Sequence, residues 1–158
     1  GVFVAASLYL VAVYHGTNLY FARQGDFEAF ILLGRGDALG VFPALFWGGY
    51  VLLGALLPMA LLFHPRGVGP NAMLLASAMV MAGAFALLFV FIVGGQSFPL
   101  EIFPGHEVSS SFADGAVELY MPRGPEWLLG IGGLGAAFVL TLIGVRALDV
   151  LPQDELKP

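Results

Sequence analysis

Four long apolar runs dominate this chain and limit what it can fold into. They cover residues 1–21, 38–63, 70–93 and 126–148. A helix rises about 1.5 Å per residue, so each run can cross a hydrocarbon core about 30 Å thick. In lipid every backbone N–H and C=O needs an internal partner, and four spans are too few to close a barrel. The runs therefore predict four transmembrane helices.

The scarcity of charge excludes other classes of protein. Only 11% of the 158 residues are charged, while 59% are hydrophobic. A soluble domain carries about 25% charged residues and needs them to cover its surface. The formal net charge of −5 also argues against a nucleic-acid partner, because few cations are available to replace phosphate counterions. A soluble enzyme, a disordered chain and a nucleic-acid binder are thereby excluded.

The chain contains no cysteine. Disulfides, Cys-ligated iron–sulfur clusters and thiolate metal sites are therefore ruled out within it. If the protein takes part in redox chemistry, other molecules must carry the electrons.

The expected architecture is an all-α transmembrane, four-helix up-down bundle spanning residues 1–158. Residues 94–124 are predicted to form a long extramembrane loop, and residues 149–158 a polar C-terminal tail. Because the chain begins without Met inside an apolar run, we expect it to be the C-terminal part of a longer membrane protein.

Two further features concern how the helices pack. Small residues at four-residue spacing in the third run predict a close helix contact through Ala78, Ala82 and Ala86. Pro43 and Pro58 lie within the second run and predict a kink there.

The orientation follows from the basic residues near the helix ends. Arg66 lies in the short turn between the second and third runs, and Arg146 lies at the end of the fourth. The positive-inside rule then favours a cytoplasmic C-terminus in a bacterial or archaeal inner membrane. Residues 22–37 and 94–124 are expected on the opposite face as loops.

The end of the first run carries the polar side chains best suited to chemistry: Tyr14, His15, Asn18, Tyr20 and Arg23. The first three share a helix face through their spacings of three and four. His15 is expected roughly 10 Å below the membrane surface, where an ionisable side chain indicates a function. Histidine transfers protons near neutral pH, and Asn and Tyr can bond a carbonyl oxygen, as a quinone head group requires. A purely structural polar cluster is the alternative.

Metal and haem sites have weaker support. A transmembrane haem commonly uses two histidines at similar depth, but His64 falls at the opposite membrane face from His15. His106 belongs to the long loop, outside the bilayer. The pair His106-Glu107 lacks the second histidine of a zinc motif.

The exit of the third run is a second candidate site. Gln96, Glu101, His106 and Glu107 follow one another there, with apolar residues and prolines between them. This segment is interpreted as a docking surface for a partner subunit or as one wall of a lipid-facing pocket. A helix-capping turn followed by a surface loop is the third possibility.

Three segments in order resemble a known family. Residues 14–23 (YHGTNLYFAR), 91–101 (FIVGGQSFPLE) and 125–133 (PEWLLGIGG) look like the C-terminal half of NrfD/PsrC-type membrane subunits. That family includes polysulfide reductase anchors and the HybB- and DsrP-like subunits, which look most similar. The resemblance covers essentially the whole chain.

The resemblance implies a haem-free subunit of a respiratory oxidoreductase complex. It also implies that this chain is one half of a larger two-bundle membrane subunit. Such subunits exchange electrons between the quinone pool (menaquinone or ubiquinone) and a ferredoxin-like iron–sulfur subunit, which serves a catalytic subunit in anaerobic respiration. Under this hypothesis His15 transfers the proton, Asn18 and Tyr20 or Tyr14 bind the head-group oxygens, and Arg23 tunes the local potential. A non-catalytic membrane anchor and an ion-translocating subunit are the alternatives.

Overall fold

A computed structural model describes residues 1–21, 24–36, 40–64, 69–99, 117 and 122–148. Throughout these residues the regular structure is helical, and they contain no strand. The helices are α1 (Val2–Phe21), α2 (Gly25–Leu33), α3 (Val41–Phe63), α4 (Pro70–Ser97) and α5 (Gly124–Ala147).

Four of these helices are long and apolar enough to cross a membrane, namely α1, α3, α4 and α5. This confirms the all-α transmembrane fold class. The fifth helix, α2, has only nine residues. It corrects the expectation that residues 22–37 form a loop.

The loop predicted for residues 94–124 also begins later than expected. Helix α4 continues through Gly94 and Gly95 and ends at Ser97. Most of the remaining loop and the whole tail 149–158 lie outside the described residues.

The chain divides into two compact units, residues Gly1–Tyr120 and Met121–Pro158. The first contains α1 to α4. The second contains α5, which begins with Pro125 in its first turn. There the Glu126 carboxylate accepts a hydrogen bond of 2.7 Å from the backbone N–H of Arg123, which caps the helix. The joining of all four spans in one bundle stays a prediction.

Helix α3 is π-helical over Ala44–Leu56, with α-helical turns at both ends. The two prolines predicted to kink this span lie just outside that stretch. Every fourth residue of the helix is buried: Phe42, Phe46, Tyr50, Gly54 and Pro58. In an α-helix such a row would drift by about 40° per step. The wider π turn keeps the row closer to one face.

Helices α3 and α4 touch through glycines. A Cβ atom added to Gly54 would lie 2.5 Å from the Cα of Gly83, and one added to Gly49 would lie 2.8 Å from the Cβ of Ala86. Any side chain at either position would therefore push the helices apart.

The small-residue contact involves a different row of α4 from the one predicted. The buried positions Ala76, Gly83, Val90 and Ser97 recur every seven residues. Ala78 and Ala82 are exposed, and only Ala86 of the predicted row faces α3.

The core of the first unit lies where α2 meets α3 and α4. Its buried members are large and mostly aromatic: Phe30, Ile31, Phe42, Phe46, Tyr50 and Val90. Two of the six come from α2. The apolar side chains of α2 therefore hold this short helix against α3 and α4. Its other residues are positioned beside the same core.

Three hydroxyl groups of α4 and α5 bond to their own helices. Ser77 donates to the Met73 carbonyl at 2.9 Å, and Ser97 donates to the Val93 carbonyl at 2.8 Å. Thr141 donates to the Ala137 carbonyl at 2.8 Å. These bonds satisfy the hydroxyl donors locally, so the three side chains give no sign of a polar site.

Candidate functional site

The candidate site begins on α1, a helix without a single Asp, Glu, Lys or Arg. His15 is its one buried residue. Asn18 lies one turn further on, where side chains three residues apart share a face. The predicted pair is therefore held on one side of an otherwise apolar helix.

The partner of both side chains is Glu28 of α2, which is fully buried. His15 Nδ1 lies 2.5 Å from Glu28 Oε2, and Asn18 Nδ2 donates to Glu28 Oε1 at 2.7 Å. Each carboxylate oxygen thus has its own partner on α1. The site is a three-residue polar network between two helices.

The local sequence explains why Glu28 is inside. Phe30 and Ile31, both buried in the core, lie two and three residues after it on α2. Gly34 ends the helix with φ of 72°, and its N–H bonds the Phe30 carbonyl at 3.1 Å. Glycine adopts this left-handed conformation without a steric penalty. Once α2 docks by its apolar residues, Glu28 is carried into the protein against α1.

The imidazole of His15 is surrounded by aromatic rings. Phe91 of α4 stacks on it with centroids 5.6 Å apart and 7° between the planes. Phe46 and Tyr14 approach edge-on at 4.9 and 5.2 Å. Among the described residues the buried Nε2 atom has no hydrogen-bond partner. Nδ1 therefore contacts Glu28, while Nε2 has no hydrogen-bond partner within the described part of the chain.

The two acid–base groups of this network share a hydrogen bond. A buried carboxyl group is costly unless it is hydrogen-bonded, and here each oxygen of Glu28 has one partner. His15 and Glu28 can both accept or give a proton. A proton can therefore move between them without rearrangement of the backbone.

A cavity of about 670 Å³ adjoins this network. Tyr14, Asn18 and Phe21 of α1 line it, together with Gln24 at the start of α2. Asn18 belongs to both features, because it lines the cavity and also bonds Glu28. The cavity offers a phenol, two amides and an aromatic ring, a mixed lining typical of small-molecule sites.

The structure brings together three of the five residues predicted at the end of the first run: Tyr14, His15 and Asn18. Tyr20 is 81% exposed and contacts Phe21 with its ring edge. Arg23 lies outside the described residues. The roles suggested for Tyr20 and Arg23 stay predictions.

The predicted docking segment is described only at its start. Gln96 is exposed in the last turn of α4, whereas Glu101, His106 and Glu107 lie outside the described residues. Over the described part of the chain, no three His, Asp or Glu side chains are grouped as metal ligands.

Comparison with known proteins gives one informative similarity. The chain is 29% identical over 157 aligned positions to the "Hdr-like menaquinol oxidoreductase integral membrane subunit" of Archaeoglobus fulgidus. The alignment covers 87% of this chain and 40% of the relative, so the chain spans about two fifths of that protein's length. No family model matches, and no solved structure matches. The relative's name describes a membrane subunit of a quinol-oxidising complex, the broad class that the sequence resemblance indicated.

Sequence reasoning missed Glu28 and Gln24. Glu28 lies within residues 22–37, which were expected to form a loop. The available signal was the segment GDFEAFILLG, in which Asp26 and Glu28 lie among apolar residues at helical spacing and a glycine follows. Such a pattern is typical of a short buried helix, but a ten-residue segment is a much weaker signal than an apolar run of about 20 residues.

Proposed function

We propose that this chain is part of an integral membrane subunit of a quinol oxidoreductase complex, and that a quinone head group binds in the cavity beside Asn18. The observation that carries the proposal is the buried network of His15, Asn18 and Glu28, which borders that cavity through Asn18. The similarity to a menaquinol oxidoreductase subunit makes menaquinol the first substrate to test.

Each side chain that lines the cavity has its own role in binding the head group. Asn18 uses one amide N–H on Glu28 and keeps its carbonyl oxygen and second N–H for a ligand. The Tyr14 hydroxyl and the Gln24 amide line the same cavity and can bond a second head-group oxygen. Phe21 supplies an apolar surface for the ring.

Oxidation of a quinol to a quinone releases two electrons and two protons. In the proposed reaction one proton passes to the His15–Glu28 pair, and the second leaves to solvent from the cavity. Both electrons go to an iron–sulfur partner subunit, since the chain has no cysteine to bind a cluster. In the opposite direction the same pair returns the proton to the quinone.

The test measures quinol turnover in the complete complex, reconstituted in lipid vesicles. His15→Ala and Glu28→Gln each remove one member of the proton-accepting pair. We expect turnover to fall by about 10²- to 10⁴-fold, the range that a positioned acid–base group contributes. Assembly of the complex is scored in parallel by the recovery of the partner subunits.

His64→Ala is the matched control, because it makes the same substitution at the exposed end of α3. We expect it to retain wild-type turnover. If the His15 and Glu28 variants assemble and turn over normally, the chain serves only as an anchor for its partners, and the proposal is wrong.

A further inference from the structure

Two more cavities follow the head-group cavity along α1. The nearer one, of about 390 Å³, is lined by Leu10, Val11, Tyr14 and Phe91. The farther one, of about 360 Å³, is lined on α1 by Phe3, Val4 and Ser7. Tyr14 lines both the head-group cavity and the nearer of these two.

The three cavities lie along one face of α1. Their lining positions on this helix recur every three or four residues, at 3, 4, 7, 10, 11, 14, 18 and 21. This is the spacing of one helix face. On the opposite wall, α4 contributes Val80, Ala84, Leu87 and Leu88 to the farther cavity and Phe91 to the nearer one. The nearer and farther cavities share no lining residue, and α3 also lines the farther one with Tyr50, Gly54 and Ala55. Because they follow one another along α1 and α4, we call the two cavities together the α1–α4 groove.

The groove is suited to a hydrocarbon chain. None of its described lining residues is charged. The polar groups of the farther cavity, Ser7 Oγ and Tyr50 Oη, lie 3.3 Å apart and bond each other. From Phe3 to Tyr14 the groove is about 16 Å long, at about 1.5 Å per residue.

We propose that the α1–α4 groove binds the polyprenyl tail of the quinol whose head group occupies the cavity beside Asn18. This inference rests on the function proposed above. The shared residue Tyr14 favours a quinol tail over a phospholipid chain, because it joins the groove directly to the head-group cavity.

The groove acts by directing the head group. Membrane lipid is as apolar as the groove, so a tail that leaves it loses packing contacts and gains no exposure to water. We therefore expect a moderate effect on affinity. The tail's main contribution is to bring the head group to Asn18 along one route.

The first experiment fills the groove. Ala84 is an exposed residue of α4 that lines the farther cavity, so Ala84→Trp places an indole there. Ala82→Trp is the control, because Ala82 is also exposed on α4 but lies almost on the opposite side of the helix. The readout is the KM for a long-tail menaquinol divided by the KM for the tail-less naphthoquinol, measured with the reconstituted complex.

We expect Ala84→Trp to raise this ratio by about three- to tenfold, in keeping with a loss of packing alone. Ala82→Trp should keep the wild-type ratio. An unchanged ratio in Ala84→Trp contradicts the proposal, and so does an equal rise in both variants.

The second experiment distinguishes the two sources of hydrocarbon. A menaquinol with a photoreactive group on its tail should label groove residues such as Ser7 and Leu87, and unlabelled menaquinol should compete. If a photoreactive phospholipid labels them instead and menaquinol does not displace it, the groove holds lipid and the proposal is wrong. Failure of the head-group assignment would appear separately, as normal turnover of His15→Ala and Glu28→Gln.

Discussion

Two helix contacts of the first unit are made by opposite means. Helices α1 and α2 meet through a buried carboxylate that bonds a histidine and an amide. Helices α3 and α4 meet through glycines whose backbones touch. Close packing of small residues is the ordinary way to join helices in a membrane. A buried ionisable pair is costly by comparison, which is why the first contact, and not the second, indicates a function.

The largest predicted loss of stability comes from Glu28→Ala. The substitution leaves the buried His15 ring and the half-buried Asn18 amide without their partner, and breaking a buried pair costs about 3–5 kcal/mol. The measurement is the free energy of unfolding in mixed micelles. Asp26→Ala is the control on the same helix, because Asp26 is exposed. Equal stability of the two variants would mean that the network does not hold α2 in place.

The apolar contact should be less sensitive, provided that the added group is small. Gly83→Ala forces a methyl group against the backbone of Gly54, and overpacking of this kind costs about 1–3 kcal/mol. Gly95→Ala on the same helix meets no atom within 4 Å. It should stabilise the helix by about 0.5–1 kcal/mol. A stable Gly83→Ala would show that α3 and α4 can separate freely.

Asn18→Leu tests the Asn18–Glu28 hydrogen bond, which we expect to contribute less than the His15–Glu28 contact. It removes the 2.7 Å bond to Glu28 but leaves the His15–Glu28 pair in place. A hydrogen bond to a charged group contributes about 1.5–3 kcal/mol, and the new leucine recovers part of that by packing. We expect a net loss of about 1 kcal/mol in the same unfolding assay. A loss as large as that of Glu28→Ala would instead assign the stability of the network to Asn18.

The smallest effect is expected at the contact between α2 and α3. The Trp47 indole N–H donates to the Leu32 carbonyl at 3.0 Å. Trp47→Phe removes this bond and keeps an aromatic ring, for a loss of about 0.5–1 kcal/mol. Trp127→Phe, in the second unit, is the control, since Trp127 is 63% exposed. Because the chain has two tryptophans, each variant also leaves one fluorescent reporter for the unfolding transition.

Sequence reasoning succeeded where the signal was long and failed where it was short. The four spans follow from runs of about 20 apolar residues. Helical spacing also places Tyr14, His15 and Asn18 on one face of α1, while their role in a site stays a prediction. The partner of His15 could not be read in the same way. Glu28 lies 13 residues further along, and only the docking of α2 through Phe30 and Ile31 brings it back to α1.

The contact between α3 and α4 shows a similar division. Sequence indicated that small residues of the third span pack closely, but it favoured the wrong row. Four-residue spacing pointed to Ala78 and Ala82, whereas the buried row repeats every seven residues through Gly83. The row that packs is the one that meets Gly49 and Gly54 of α3, and spacing within the third run alone does not reveal that partner. The π-helical stretch of 13 residues in α3 was not predicted either.

The placement of Glu28 on α2 also bears on how the chain enters the membrane. An acidic residue at the centre of a span adds about 2.5–3.5 kcal/mol to the free energy of its insertion by the translocon. Helix α2 has nine residues and is too short to span, so Glu28 belongs to none of the four candidate spans. Each span can be inserted without carrying that carboxylate. Burial of the acid depends instead on the docking of α2 against α1, α3 and α4.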